Sequence, residues 1–115
     1  AHIRGDKIAF QFLKQFSPSI SAVTHAELIQ GCQNKHDIRA VHAILRDIAE
    51  LPFTESITKK ALSLFETYSL SHGIQFFDTL IAATAIENNL TLVTHNTKHF
   101  FFIPHLTVRA WTEFV

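Results

Sequence analysis

Residues 76 to 100, FFDTLIAATAIENNLTLVTHNTKHF, constrain the fold more than any other stretch of this chain. A carboxylate, Asp78, stands at the start of a helix whose centre, Leu80-Ile81-Ala82-Ala83, is apolar all round. A helix of that kind packs on a sheet on one side and on helices on the other. The apolar run Leu90 to Thr94 reads as a buried strand, and it opens into the polar cluster Thr94, His95, Asn96. In an α/β domain, strand C-terminal ends and helix N-termini gather at one edge of the sheet, where sites form. A second acid, Glu27 in SAVTHAELIQG, takes an equivalent position upstream. Two acids so placed suggest a site for a divalent metal and phosphate.

The rest of the chain supports an alternation of helices and short strands. Ile8, Phe12, Leu13 and Phe16 have helical spacing, which predicts a helix over 6–16. Ser17-Pro18 ends it, because proline disfavours helix at the residue before it. SISA, 19–22, reads as a short strand. Thr24 and Glu27 then form a T-x-x-E capping pattern, with a helix to about Cys32. Ile38, Val41, Leu45 and Ile48 form the stripe of another helix. Leu51-Pro52-Phe53 suits a short edge strand, where proline is tolerated. Ile57, Ala61, Leu64, Phe65 and Tyr68 share one face of a helix over 55–70, with Gly73 past its end. The next helix runs from about Phe77 to Asn88, and Leu106 to Arg109 reads as the last strand. The expected fold is an α/β sandwich with a short parallel sheet flanked by helices.

Composition narrows the function. A chain of 115 residues is expected to form one domain. Its apolar fraction is high and its charged fraction low, which argues against disorder. Apolar runs all fall short of the ~20 residues a transmembrane helix needs, and AHIRGDK does not read as a secretory signal. Cys32 is alone, so no internal disulfide forms, which fits a reducing cytoplasm. Formal net charge is zero, whereas binders of nucleic acid that rely on bulk electrostatics carry a basic excess. RNA binding by this chain would need a local patch or bound cations. Eight histidines add positive charge below neutral pH.

Each candidate residue also has a structural explanation. Glu27 serves either as a capping-box acid or as a metal ligand. Asp78 suits the first helical turn through the macrodipole, yet Phe76, Phe77, Leu80 and Ile81 around it imply burial. A lone buried carboxylate is costly unless partnered, and a hard cation such as Mg²⁺ or Mn²⁺ is one such partner. Thr94, His95 and Asn96 make either a turn or the polar edge beside the acids. His95 and His99 are four apart, a spacing too unspecific for a zinc site in a loop. His95, Lys98 and His99 are expected to be exposed and able to meet phosphates. Phe100, Phe101 and Phe102 read as core. Neither a G-x-S-x-G elbow, a Walker loop nor a glycine-rich dinucleotide fingerprint occurs.

SISAVTHAELIQG followed by FDTLIAATAIENNLTLVTHNTKHFFFIPHLTV resembles a PIN-domain protein of the VapC toxin type, over nearly the whole chain. The resemblance implies a PIN-like α/β/α sandwich and a Mg²⁺- or Mn²⁺-dependent endoribonuclease cutting structured RNA such as tRNA or rRNA. It further implies a cytoplasmic homodimer restrained by a VapB-type antitoxin. Carried over by position, Glu27 and Asp78 are metal-binding and catalytic acids. Asn96 lies where many relatives have a further acid and others an asparagine. Thr94, His95 and Lys98 lie where substrate would be bound.

One departure matters. The family opens with a strand ending in D-T-N, whose Asp is a principal metal ligand; this chain begins AHIRGDKIAF, which resembles the family's segment just after D-T-N. Asp6, at the start of the first helix, is a poor substitute. The first, central strand is therefore expected to be missing, or supplied by a separate segment or a second copy. Weak metal affinity and impaired cleavage are expected for these residues alone. The competing reading is a catalytically inactive PIN-like binding module acting through protein partners. A D-T-N phrase encoded upstream of Ala1 would restore the enzyme reading.

Overall fold

The computed structural model describes residues 11–16 and 18–113. Asp6, Ile8, Ser17 and the start of the first helix lie outside them. The described chain divides at Pro52/Phe53 into two compact units.

In the first unit, residues 11–16 are helical (α1) and bury Phe12 and Leu13. Strand β1 (Ile20–Ser21) lies parallel to β2 (Glu50–Leu51), pairing Ile20 with Glu50 and Ser21 with Leu51. Helix α2 spans Ala22–Gln30 and α3 spans Lys35–Leu45. Leu13, Ile20, Leu28 and Val41 form the core, covered by Ile29, Cys32, Ile44, Leu45 and Ile48. Two boundaries differ from the sequence expectation. Ala22 belongs to the helix, because the N-cap of α2 is Ser21, whose Oγ accepts the Thr24 N–H at 3.3 Å. Thr24 is therefore inside the helix, and Glu27 is no capping acid. The second strand ends at Leu51, since Pro52 has no N–H for a ladder. Asn34 caps α3: its side chain accepts from Asp37 N at 2.9 Å while Asp37 accepts from Gln33 N at 3.1 Å. The sequence pattern did not signal this cap, as it uses Asn and Asp rather than Ser/Thr and Glu.

In the second unit, α4 (Glu55–His72) and α5 (Phe76–Glu87) pack together. Thr54 caps α4 through Ile57 N. Gly73 closes it in the left-handed region, φ 65°, with its N–H on Ser69 O, a conformation that costs glycine little. The Ser56 hydroxyl donates to Glu87 at 2.6 Å and Phe65 meets Phe76 edge-on, so the two helices run antiparallel. Ile57, Ala61 and Leu64 of α4 are buried, as are Thr79, Leu80, Ala82, Ala83, Thr84 and Ala85 of α5. Small residues on α5 permit this burial around most of its circumference. Strand β3 (Leu92–Thr94) runs parallel to β4 (Val108–Ala110), pairing Leu92 with Val108 and Thr94 with Ala110. The strand expected from Leu90 starts two residues later because the Leu90 N–H returns to Ala85 O at 2.9 Å, finishing the helix. Asn89 takes the left-handed conformation that this closure requires, φ 54°. Of the three phenylalanines expected in the core, Phe100 is buried, Phe102 is partly buried and Phe101 is 71% exposed.

The β1–β2 and β3–β4 pairs are separate two-stranded parallel sheets among the described residues. No helix among those residues is long and apolar enough to cross a membrane.

Candidate active site

Asp78 is the third residue of α5, and its side chain is 21% exposed. The N-cap, Gln75, makes no side-chain bond to the helix, so Asp78 is the acidic group at this positive helix end. Burial among its apolar neighbours pushes the Asp78 carboxyl above its ordinary value; the nearby His99 opposes this through charge and hydrogen bonding. His99 Nδ1 stands 3.4 Å from Asp78 Oδ2. His99 closes a short 3₁₀ turn, Thr97–His99, fixed by His99 N on Asn96 O at 3.0 Å and by the buried ring of Phe100.

The polar end of β3 is built by local bonds. Thr94 Oγ1 accepts the Asn96 N–H at 3.1 Å. The Asn96 side-chain amide nitrogen stands within hydrogen-bond distance, 3.1 Å, of His95 Nε2. Trp111 meets the His95 ring edge-on at 5.3 Å between centroids. Beyond it, Glu113 accepts from Ala110 N and from Arg109 Nε, which hold its carboxyl below the usual range. His95, Asn96 and Lys98 are exposed, and Thr94 is half-buried.

The structure therefore joins Asp78 to His99, and Thr94 to Asn96 and His95. Lys98 sits in the turn connecting these groups. Sequence reasoning placed His99 among the exposed phosphate-binding residues and missed its pairing with Asp78. The i,i+4 spacing drew attention to His95 instead, while the true partner lies twenty-one residues upstream. Trp111 carried no sequence signal, being far from both acids along the chain.

Glu27 belongs to the other unit. It occupies the sixth position of α2 and is exposed. Nearby in that unit, His25 Nδ1 pairs with Glu50 Oε1 at 2.5 Å, linking α2 to β2, and the His25 and His42 rings meet edge-on. Among the described residues no three His, Cys, Asp or Glu side chains gather as a metal-binding group. The second unit does offer one oxygen donor and one nitrogen donor, Asp78 and His99, at close range. That pair fits an open site, in which water and phosphate oxygens complete the coordination, and does not fit a closed protein cage.

Residues 1–102 match the PIN domain family. Over 105 residues the chain is 38% identical to ribonuclease VapC10 of Mycobacterium tuberculosis, covering 87% of this chain and 78% of that protein. It is 32% identical to ribonuclease VapC19 of the same organism over 111 residues, covering 91% and 88%. The structure resembles VapBC-1 from nontypeable Haemophilus influenzae, with a TM-score of 0.73, 31% identity and coverage of 92% of this chain and 86% of that one.

Proposed function

Because this chain belongs to the PIN-domain family, within which it is a VapC-type ribonuclease, we propose that it is a toxin that hydrolyses phosphodiester bonds of structured RNA with Mg²⁺ or Mn²⁺. We propose tRNA or rRNA as the substrate, a VapB-type antitoxin as the restraining partner, a homodimer as the working form and the cytoplasm as its location. Nucleases of this family are metal-dependent in general. The antitoxin proposal is supported by solved neighbours that are VapBC complexes.

The observation that carries the reading is the half-buried carboxylate of Asp78 at a helix N-terminus, across from the polar turn after β3. Asp78 and Asn96 are the proposed catalytic groups in this unit, with Asp78 holding the cation. Glu27 enters as a second metal-binding acid from its place in the sequence alone. A divalent cation supplies activation of water and neutralisation of developing phosphate charge. The chain's own contribution is positional. Asn96 offers an amide that adds no negative charge, its donor turned to His95. Thr94 stiffens the turn that presents Asn96. Lys98 and His95 face solvent, where they can bind backbone phosphates and orient the strand.

The test is cleavage of structured RNA at enzyme excess. Cleavage should require the divalent cation and fall by on the order of 100-fold or more in Asp78→Asn. Cleavage that survives either chelation or Asp78→Asn refutes the proposal. Complete inactivity of the wild type, with stable capture of a protein partner, would favour the binding-module reading.

A further inference from the structure

We propose that Phe77 and Phe101 form a stacking platform for unpaired RNA bases on the two sides of Asp78. The inference rests on the RNA-cleaving reading above and deepens it by naming how the strand is gripped. Phe77 is 66% exposed and Phe101 is 71% exposed, although the neighbouring Phe76, Phe100 and Phe102 are at least partly covered. Phe77 directly precedes Asp78 on α5. Phe101 comes two residues after His99, whose Nδ1 stands 3.4 Å from Asp78 Oδ2. A chain covers at most ~3.6 Å per residue, so the Cα atoms of Phe101 and His99 lie within about 7 Å of each other. The two exposed rings therefore bracket the proposed catalytic carboxylate.

Neither ring owes its exposure to a loose backbone. Phe101 N donates to Thr97 O at 2.9 Å. Phe100 before it is buried, and Phe102 after it is clamped by the His72 ring stacked at 4.0 Å and the Tyr68 ring edge-on at 5.0 Å. The Phe101 ring meets Phe102 almost at right angles, with centroids 5.9 Å apart, a contact that holds it while leaving most of it in water. On α5, Phe76 packs edge-on against Phe65, and Thr79 and Leu80 are buried. A helix turns by about 100° per residue, which sends Phe77 off that packed face. Rings ordered in advance lose little freedom on stacking.

Charge selects nucleic acid as the occupant. The chain is neutral overall, yet residues 88–112 contain no Asp or Glu and carry Lys98, Arg109 and three histidines. Glu113 engages Arg109, whereas Lys98 and His95 are exposed. An acid-free segment that presents both cations and aromatic rings suits a phosphate backbone whose bases stack on side chains. The core of a protein–protein interface is depleted of charge, whereas Lys98, His99 and Asp78 all lie within three residues of these rings. Every base has a π-face, so the platform accepts any sequence and selects bases that are unpaired.

The experiment is fluorescence-anisotropy binding of the full chain to a labelled oligouridylate, in chelator so that the strand stays intact, and to the same strand paired with oligoadenylate. Wild type should prefer the single strand. Phe77→Leu and Phe101→Leu keep an apolar side chain and remove the π-face. Each should weaken single-strand binding on the order of 10-fold, while duplex binding and the slope of log affinity against log salt stay unchanged. Undiminished single-strand affinity in either variant overturns the two-sided platform, as does an equal loss on duplex. A changed oligomeric mass of Phe101→Leu in sedimentation, with RNA affinity intact, assigns the ring to a protein interface and overturns it too. Phe101→Trp supplies a readout that does not depend on lost binding: it should keep its affinity, and oligouridylate should quench its fluorescence beyond the response of Trp111 in wild type. Binding without that added quenching overturns the stacking contact. If wild type binds neither RNA form, the platform falls, and the cleavage test above decides the ribonuclease reading separately.

Discussion

Replacing Ser21 by alanine should unwind the start of the helix that carries Glu27, and replacing Thr24 should not. The Ser21 hydroxyl is buried and accepts the Thr24 N–H, one of the N–H groups that a helix leaves without an internal partner. Removing it costs about 1 kcal/mol, within a range of about 0.5 to 2. Thr24 sits three residues into the helix, where its own hydroxyl makes only a 3.4 Å contact with Ser21. Alanine there recovers up to roughly 0.6 kcal/mol of helix propensity, which offsets that loss. The two variants should therefore differ by about 1 to 1.5 kcal/mol. For a chain of this length the unfolding entropy makes each kcal/mol worth about 4 °C in Tm, so the gap should be about 4 to 6 °C. Urea and thermal melts followed by far-UV circular dichroism measure it. If Thr24→Ala proves more damaging than Ser21→Ala, the helix begins at Thr24 after all and Glu27 returns to the role of a capping acid.

Further outcomes concern the second unit. Burial raises the Asp78 carboxyl above its ordinary 3.8, so the native state holds that proton more tightly than the unfolded state. Stability should be full below 3.8 and fall as pH rises through the elevated native value, so the ionised acid is a burden at neutral pH. Asp78→Asn, in chelator, should accordingly be more stable than wild type at neutral pH, with the difference vanishing in acid; a destabilised Asp78→Asn at neutral pH refutes the sign. Lys98 is exposed in the turn after β3. If it binds one phosphate, Lys98→Ala should reduce the slope of log affinity against log salt for RNA by about 0.7 to 0.9. An unchanged slope removes Lys98 from the RNA-binding surface.

Much of the fold could be read from local pattern. The apolar face of α4, the left-handed Gly73 and the all-round apolar α5 are short-range features, and the structure places each where the sequence implies. Boundaries were less legible. Leu90 looks like a strand residue, yet its N–H is spent on closing α5; hydrophobicity alone does not say which partner an amide will find. Ser21 and Thr24 are both competent caps, and pairing of Ser21 with Leu51 across β1 and β2 decides where strand stops and helix starts. Phe101 and Phe100 are chemically identical neighbours, but the turn buries only one of them.

The acid at position 78, the amide at position 96 and the strand–turn context that makes them a candidate site were fixed by residue order, as was the membership of the PIN family that they signal. The apolar neighbours of Asp78 already implied its burial, but tertiary structure alone set His99 against it. The reason is physical: a pattern of side chains specifies which faces must be buried, whereas the distance between two groups far apart in sequence depends on how helix, turn and core pack together.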